Sequence, residues 1–268
     1  MKNKCAVILC GGKGTRLGSL SKKIPKTLVK IQKKEILWYI IKFLGFSGFK
    51  HIILPLGYKG EQIKKFLKKN KFDDLNIETH DTGVSANIGS RLYKIAHKIK
   101  YENFLLLNGD AVFNFDLKSI YNKHCKENSA ITFLSGEITY PFGTIGVSNE
   151  KVIDFSRNLV FDRLKIRGAK KNYQAYNYTG ISIIKTDLLK RYKESFLKAN
   201  NFEQEFYPKI IKKYQTKLLK ISGFWHSIDN LKDIEIVDEK NQKDKKYLNL
   251  KKLNLFLKKS KNKTFKSR

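Results

Sequence analysis

Residues 4–10 (Lys-Cys-Ala-Val-Ile-Leu-Cys) form one short, almost wholly apolar run that stops at Gly11-Gly12. A run of this length, ended by glycines, reads as a strand buried on both faces. Such strands belong to parallel sheets covered by helices. The pattern then repeats. A mostly buried helix is predicted over 35–47, broken at Gly48, with a strand over 51–56 after it. A helix over 60–70 carries Ile63, Phe66 and Leu67 on one face, and a short strand comes next at 76–79. A helix over 87–99 places Leu92, Ile95, Ala96 and Ile99 together, and a strand over 104–107 ends in Asn108-Gly109-Asp110. Strands alternating with helices through residues 1–125 predict an α/β fold with a doubly wound, mainly parallel, Rossmann-like sheet.

The second half changes character. A helix over 117–126 opens it, with Asp116 placed as its N-cap. Strands are predicted at 129–137, 145–147, 152–155 and 173–184, helices at 187–198 and 203–214, a strand at 217–221 and a helix at 231–239. No internal repeat or long linker interrupts the chain. One domain over 1–240 is expected, with a nucleotide half (1–125) and an acceptor half (126–240), and then a basic tail over 241–268.

Composition narrows the class. The 268 residues are 41% hydrophobic and 12% aromatic, enough to build a core, so full disorder is excluded. No apolar run is long enough for a spanning helix. The first apolar stretch comes too early and is too short for a secretory signal. The three cysteines, Cys5, Cys10 and Cys125, have no metal-knuckle spacing and are expected in the core of a protein from a reducing compartment. A cytoplasmic location is the expectation.

Net charge is +31, yet 48 of the 55 cations are Lys and only 7 are Arg, spread along the whole chain. Specific phosphate and base readers favour the Arg fork. The charge therefore reads mainly as solvated surface, compatible with an anionic substrate. The rival reading is a non-catalytic binder of nucleic acid or anionic membrane. Only residues 240–268 concentrate cations, twelve against the single acid Asp244, and they lack Trp. No specific nucleic-acid partner is expected. The tail is read as a packing helix with a frayed end, with membrane contact as the alternative.

The sharpest local feature is Gly11-Gly12-Lys13-Gly14-Thr15-Arg16-Leu17, with Pro25-Lys26 shortly after. A glycine-rich loop after a buried strand leaves backbone N–H groups free to face phosphate oxygens, and Arg16 and Lys26 add charge. It is neither a dinucleotide fingerprint, where Leu17 would be Gly, nor a Walker loop. Asp110 comes directly after an apolar strand and so sits at a carboxyl end of the sheet, where open α/β folds bind ligands. There it suits Mg²⁺, held by one or two carboxylates plus substrate phosphates. Asp116 competes with it, and Asp229 has a bland alternative as the cap of the helix at Leu231. Trp38, Tyr58 and Trp225 are read as packing residues. His80 and His226 lie near site segments but have no metal-ligand spacing.

The loop with its Pro-Lys resembles the signature of the sugar-1-phosphate nucleotidyltransferases, over roughly residues 4–240. Within that family the chain is most similar to the branch that transfers cytidylyl groups to glucose 1-phosphate. The similar segments are Ile36-Leu37-Trp38-Tyr39-Ile40, Gly57-Tyr58-Lys59-Gly60, Asp81-Thr82-Gly83 with Arg91-Leu92, Phe202-Glu203-Gln204-Glu205, and Gly223-Phe224-Trp225 with Asp229. The resemblance implies a fold of the nucleotidyltransferase (GT-A-like) type, a homo-oligomer, and NTP and sugar 1-phosphate as substrates of surface-polysaccharide synthesis. It implies that Gly11, Gly12, Gly14 and Thr15 cradle the nucleotide phosphates. Arg16 would stabilise leaving pyrophosphate, and Lys26 would reach the phosphates from across the site. Thr82, Gly83 and Gly89 would lie near base and ribose. Asp110 and Asp229 would hold Mg²⁺, and Gly143, Asn177, Gly180 and Glu203 would face the sugar.

Three departures stand out. The family's Glu-Lys-Pro is replaced by Phe155-Ser156-Arg157-Asn158-Leu159, leaving Arg157, Arg163, Lys165 or Arg167 to supply the missing cation. Ile88-Gly89-Ser90 stands where the branch has Thr-Gly-Gly. Leu107-Asn108-Gly109-Asp110 looks more like the heptose- and mannose-phosphate guanylyltransferases. These leave open GTP, UTP or dTTP as the nucleotide, and a heptose, mannose or choline-type phosphate as the acceptor.

Overall fold

The structure is a computed structural model that describes residues 4–139, 143–148, 150–157, 160–161, 164–166, 173–198, 201–243 and 248. Arg163 and Arg167 and most of the 241–268 tail lie outside the described residues.

The chain begins with β1 (Lys4–Leu9), α1 (Ile36–Phe46), β2 (Phe49–Leu56), α2 (Gly60–Asn70), β3 (Asn76–Asp81), α3 (Ile88–Ile95) and β4 (Asn103–Asn108). It continues through β5 (Ala111–Phe115), α4 (Leu117–Glu127), β6 (Ile131–Ser135), β7 (Gly143–Ser148), β8 (Lys151–Arg157) and β9 (Tyr178–Lys185). The last elements are α5 (Asp187–Arg191), α6 (Lys193–Lys198), α7 (Phe202–Lys213), β10 (Thr216–Lys220), β11 (Gly223–Ser227) and α8 (Leu231–Lys243).

Seven strands form the central sheet in the order β10-β6-β9-β4-β1-β2-β3. Neighbours are parallel except β9, which runs antiparallel to both β4 and β6. The mainly parallel α/β expectation holds, with one reversed strand. The chain runs from β1 outward through β2 and β3 and then crosses to β4 on the other side of β1, which leaves the carboxyl ends of β1 and β4 side by side: Leu9 pairs with Asn108. The Gly11 loop and Asp110 therefore emerge next to each other.

Burial reflects the apolar runs. Cys5, Ala6, Val7 and Ile8 are inaccessible, as are Phe104 and Leu105 beside them. Two cores lie on the two faces of the sheet. One contains Leu37, Ile40, Ile41 and Leu44 of α1, and the other contains Leu92, Ile95, Phe196, Phe206 and Ile210. Helix α1 is buried nearly all round, which is why its sequence shows no polar stripe. Trp38 packs in this core, Trp225 packs against it, and Cys5 and Cys10 are buried. Cys125, expected in the core, is exposed on α4.

Boundaries moved where local signals were weak. The helix expected over 87–99 stops at Ile95 and tightens into a 3₁₀ turn over Ala96–Lys98. The helix expected over 187–198 breaks at Tyr192 into α5 and α6. The strand expected over 173–184 divides: Tyr173–Ala175 pairs with Leu164–Ile166, and β9 starts at Tyr178. Gly180 sits at the irregularity in β9 with φ of 73°, a left-handed conformation that favours glycine. Strands β5 and β11 are not foreshadowed by any local pattern in the sequence. They pair with each other, Ser227 opposite Ala111, outside the main sheet.

His124, 1% exposed on α4, lies between Asn103 Oδ1 (3.0 Å) and Thr132 Oγ1 (2.7 Å). The Asn103 oxygen only accepts, so Nε2–H donates to it and the Thr132 hydroxyl donates to Nδ1, which describes a neutral ring. Burial, with Lys185 adding to it, lowers its pKa to about 4. The unfolded chain takes up a proton near pH 6.5 that the folded one refuses. Stability from this group is thus intact above about pH 6.5 and lost as pH falls toward 4, on the order of 3 kcal/mol in all. Melting temperatures measured from pH 7 to pH 4 should fall, and the His124→Gln variant should fall less steeply over that window.

Candidate active site

The loop after β1 turns on Gly14 (φ 62°) and Gly18 (φ 58°), with a 3₁₀ turn over Thr15–Leu17 between them. Among the described residues, no backbone carbonyl accepts from the N–H groups of Gly12, Lys13 or Gly14. Those donors border a cavity of about 770 Å³. Gly11 through Arg16, Lys26 and Thr27 line one side, residues 84–88 a second, Asn108 to Asp110 the floor, and Asn201, Phe202 and Glu203 the far side.

A buried arginine holds the nucleotide side together. Arg91 of α3 is 4% exposed. Its Nη1 donates to Leu56 O (3.0 Å) and Thr82 Oγ1 (2.6 Å), and its Nη2 to Gly11 O (3.0 Å) and Val84 O (3.3 Å). A Cβ on Gly11 would lie 2.3 Å from the guanidinium carbon, and one on Gly57 2.4 Å from Nη1. The guanidinium runs through space that only glycines leave free. Among the described residues no carboxylate forms an ion pair with it. Burial lowers the Arg91 pKa, while Asp81 acts in the opposite sense.

The acidic side is built by β4 and by the β5–β11 pair. Gly109 N–H donates to Leu9 O (3.2 Å), and a Cβ there would meet Thr27 Cγ2 at 2.6 Å. Ile228 N–H donates to Asp110 O (2.8 Å), tying the segment that carries Asp229 to the one that carries Asp110. Lys26 Nζ then lies 2.8 Å from both Asp110 Oδ2 and Asp229 Oδ1, and Arg16 Nη1 lies 2.8 Å from Asp229 Oδ1. The Ser227 hydroxyl donates to Asp229 Oδ2 (3.0 Å). Burial pushes the Asp229 carboxyl up, but hydrogen bonding and charge from Lys26, with Ser227 and Arg16, bring it below its ordinary value.

The geometry separates the aspartates by role. Asp116 caps α4 by accepting from Ser119 N–H (3.0 Å) and does not line the cavity. Asn230 caps α8, accepting from Asp233 N–H (3.2 Å), while Asp233 Oδ2 accepts from Asp229 and Asn230 N–H (2.7 and 2.8 Å). The Asp229 carboxylate is thereby left to face Lys26 and Arg16. Glu203 sits in the first turn of α7, whose cap is Asn201. Burial, and then Asp110, raise its pKa.

Asp110, Arg16 and Lys26 thus line the cavity together with Gly11, Gly12, Gly14, Thr15 and Glu203, and Asp229, which is not itself on the lining, is tied to them through Lys26 and Arg16. Other expected residues are not on its lining. Thr82 is buried, bonded to Leu56 O and Arg91, and Gly83 (φ 91°) turns the chain beside it. Gly89 faces a helix, not the cavity: a Cβ there would lie 2.4 Å from Phe196 O. The cavity is lined there instead by residues 84–88, which come directly after the Asp-Thr-Gly signal. Gly180 leaves room for the Asn108 side chain, 2.4 Å from where its Cβ would be. Asn177 is half-buried, and its Nδ2 has no hydrogen-bond partner among the described residues. Gly143 lies on the β7–β8 ribbon opposite Arg157.

The sequence matches the nucleotidyl transferase family over residues 5–235. The chain belongs to that family. It is 28% identical over 253 residues to the glucose-1-phosphate cytidylyltransferase of Salmonella typhi, covering 85% of this chain and 92% of that one. It is 32% identical over 158 residues to the D-glycero-α-D-manno-heptose 1-phosphate guanylyltransferase of Campylobacter jejuni, covering 59% and 70%. The crystal structure of HddC from Yersinia pseudotuberculosis superposes with a TM-score of 0.65 at 23% identity, over 88% of this chain and 99% of that one, a likeness of fold. The protein is a sugar-1-phosphate nucleotidyltransferase. No helix among the described residues is long and apolar enough to cross a membrane.

In this nucleotidyltransferase the Arg91 fork bonds segments from β1, β2 and the 82–84 turn at once. A Lys ammonium is a point donor and cannot span them. Arg91→Lys should lose about 2–4 kcal/mol of stability and weaken nucleotide binding severalfold, read by denaturant melts and by nucleotide titration of the folded variant.

Proposed function

We propose that the protein transfers a cytidylyl group from CTP to glucose 1-phosphate, with Mg²⁺, giving a nucleotide-activated sugar and pyrophosphate. The observation that carries the chemistry is the convergence of Asp110, Lys26 and Arg16 on the glycine-loop cavity, with Asp229 ion-paired to both cations. The substrate pair is supported by the cytidylyltransferase relatives, which match over 85% of the chain. A second reading, GTP with a heptose phosphate, is favoured by Asn108-Gly109-Asp110 and by the guanylyltransferase relative over 59% of the chain.

The attacking group is an oxygen of the sugar phosphate, already anionic, so no general base is required. It forms a bond to the α-phosphorus as the bond from that phosphorus to the bridging oxygen breaks, and pyrophosphate departs. The protein's share is positioning and charge. Backbone N–H groups of residues 12–14 would hold the phosphates, and Arg16 would meet the charge on the leaving pyrophosphate. Glu203, with Asn177 and Gly180, belongs to the proposed sugar side.

The donor set is two hard carboxylates joined by one ammonium, Asp110 on the cavity lining and Asp229 beside it, which suits Mg²⁺ shared with substrate phosphates. Among the described residues no group of three or more His, Cys, Asp or Glu forms a cage of its own. The chemistry such an ion supplies is neutralisation of polyphosphate charge.

Pyrophosphate release should be strong with CTP, glucose 1-phosphate and Mg²⁺ in a matrix of four NTPs against sugar phosphates. Strong release with GTP and a heptose phosphate alone moves the assignment to the second reading. Asp110→Asn should lower kcat by about 10²–10³ with melting unchanged; near-normal turnover in that variant overturns the role of Asp110.

A further inference from the structure

The residue expected to reach the phosphates is paired with the two aspartates. Lys26 Nζ lies between the two carboxylates, 2.8 Å from each, and its side chain is only 12% exposed. Its backbone is fixed by Pro25 and by the 3₁₀ turn it opens, and Gly14 packs so closely that a Cβ there would lie 3.0 Å from Lys26 Cβ. The ammonium therefore has a short reach, along one cavity, between the aspartates and the glycine loop.

Charge balance gives this position its meaning. Asp110 and Asp229 carry two negative charges, and Lys26 and Arg16 carry two positive ones within 2.8 Å of them. The two carboxylates are thus already paired with cations, and a free divalent cation meets a positive charge between them. An ammonium and a divalent ion repel strongly at such separations in a partly buried site. A polyphosphate changes both terms. It gives Lys26 and Arg16 new acceptors on the loop side, and its own charge draws the cation in.

Resting on the proposed metal role of the two aspartates, we infer that Lys26 closes this pair to free divalent cation, so that the site takes the metal only together with the polyphosphate. Lys26 is counter-ion to the carboxylates in the empty site and a phosphate ligand in the loaded one. The ligand recognised is the cation–polyphosphate complex.

The test uses Mn²⁺ as the probe on the full chain, with water-proton relaxation reporting protein-bound metal. Without nucleotide, wild type should bind Mn²⁺ at least tenfold more weakly than Lys26→Met, with Lys26→Gln as a second, more polar replacement and circular dichroism checking both folds. Adding Asp110→Asn to Lys26→Met should abolish the gained binding. With CTP, or with GTP in parallel, wild type should show a protein-bound signal above that of the nucleotide–Mn²⁺ mixture alone. Nucleotide-free wild type binding Mn²⁺ as tightly as both Lys26 variants overturns the inference while leaving the metal assignment standing. No protein-bound signal with any nucleotide, in wild type or variants, overturns the metal assignment and the inference with it.

Discussion

The glycine-loop side of the cavity depends on one buried guanidinium. Arg91 is held by carbonyl and hydroxyl oxygens from the ends of β1 and β2 and from the 82–84 turn, and by no carboxylate among the described residues. A buried charge is tolerated when its hydrogen bonds are filled. Here that requirement brings three separate segments into contact. It also explains two glycines without appeal to turns: Gly11 and Gly57 are small because the guanidinium passes against their Cα atoms. The same cation lines the cavity beneath the loop, where its uncompensated charge favours an anion.

The catalytic side depends on a different constraint, the pairing of β5 with β11. The two aspartates are separated by more than a hundred residues, yet the Ser227–Ala111 register and the bond from Ile228 N–H to Asp110 O put them beside one lysine. Like charges so close are tolerable only with cations between or beside them, and Lys26 and Arg16 meet that need. In a chain with 55 cations and 24 acids, these site acids stand out because most of the Lys excess is spread over the surface. Glu203 sits close enough for Asp110 to raise its pKa, so the cavity has a cationic side at the loop and an acidic side at Glu203 and Asp110.

Much of this was legible in residue order. The apolar runs at 4–10 and 104–107 marked buried parallel strands. The glycine loop and Gly109-Asp110 marked the turns at their carboxyl ends, because a strand's end and a tight loop are local properties. Helix α2 was legible to the residue, 60–70, from its apolar spacing. The less legible parts were non-local. Strand β9 is antiparallel and begins after a break at Tyr176-Asn177, which the continuous run 173–184 concealed. Strands β5 and β11 exist because they pair with each other, and neither shows clean alternation. Gly89 looked like a ligand-side glycine from its motif position. It is glycine because Phe196 O approaches it, a contact made across helices.

Sequence alone determined the α/β class, the place of the glycine loop at the end of β1 and the identity of the acidic and basic residues available to the site, since each depends on local pattern and side-chain type. Tertiary structure decided which aspartate caps a helix and which faces the cavity, because capping depends on where neighbouring N–H groups point. It decided that residues 84–88 rather than Gly89 line the cavity, because helix α3 turns that glycine toward Phe196. It also decided that Lys26 rests between Asp110 and Asp229, because strand pairing brings two carboxylates within reach of one ammonium, and no spacing along the chain encodes that distance.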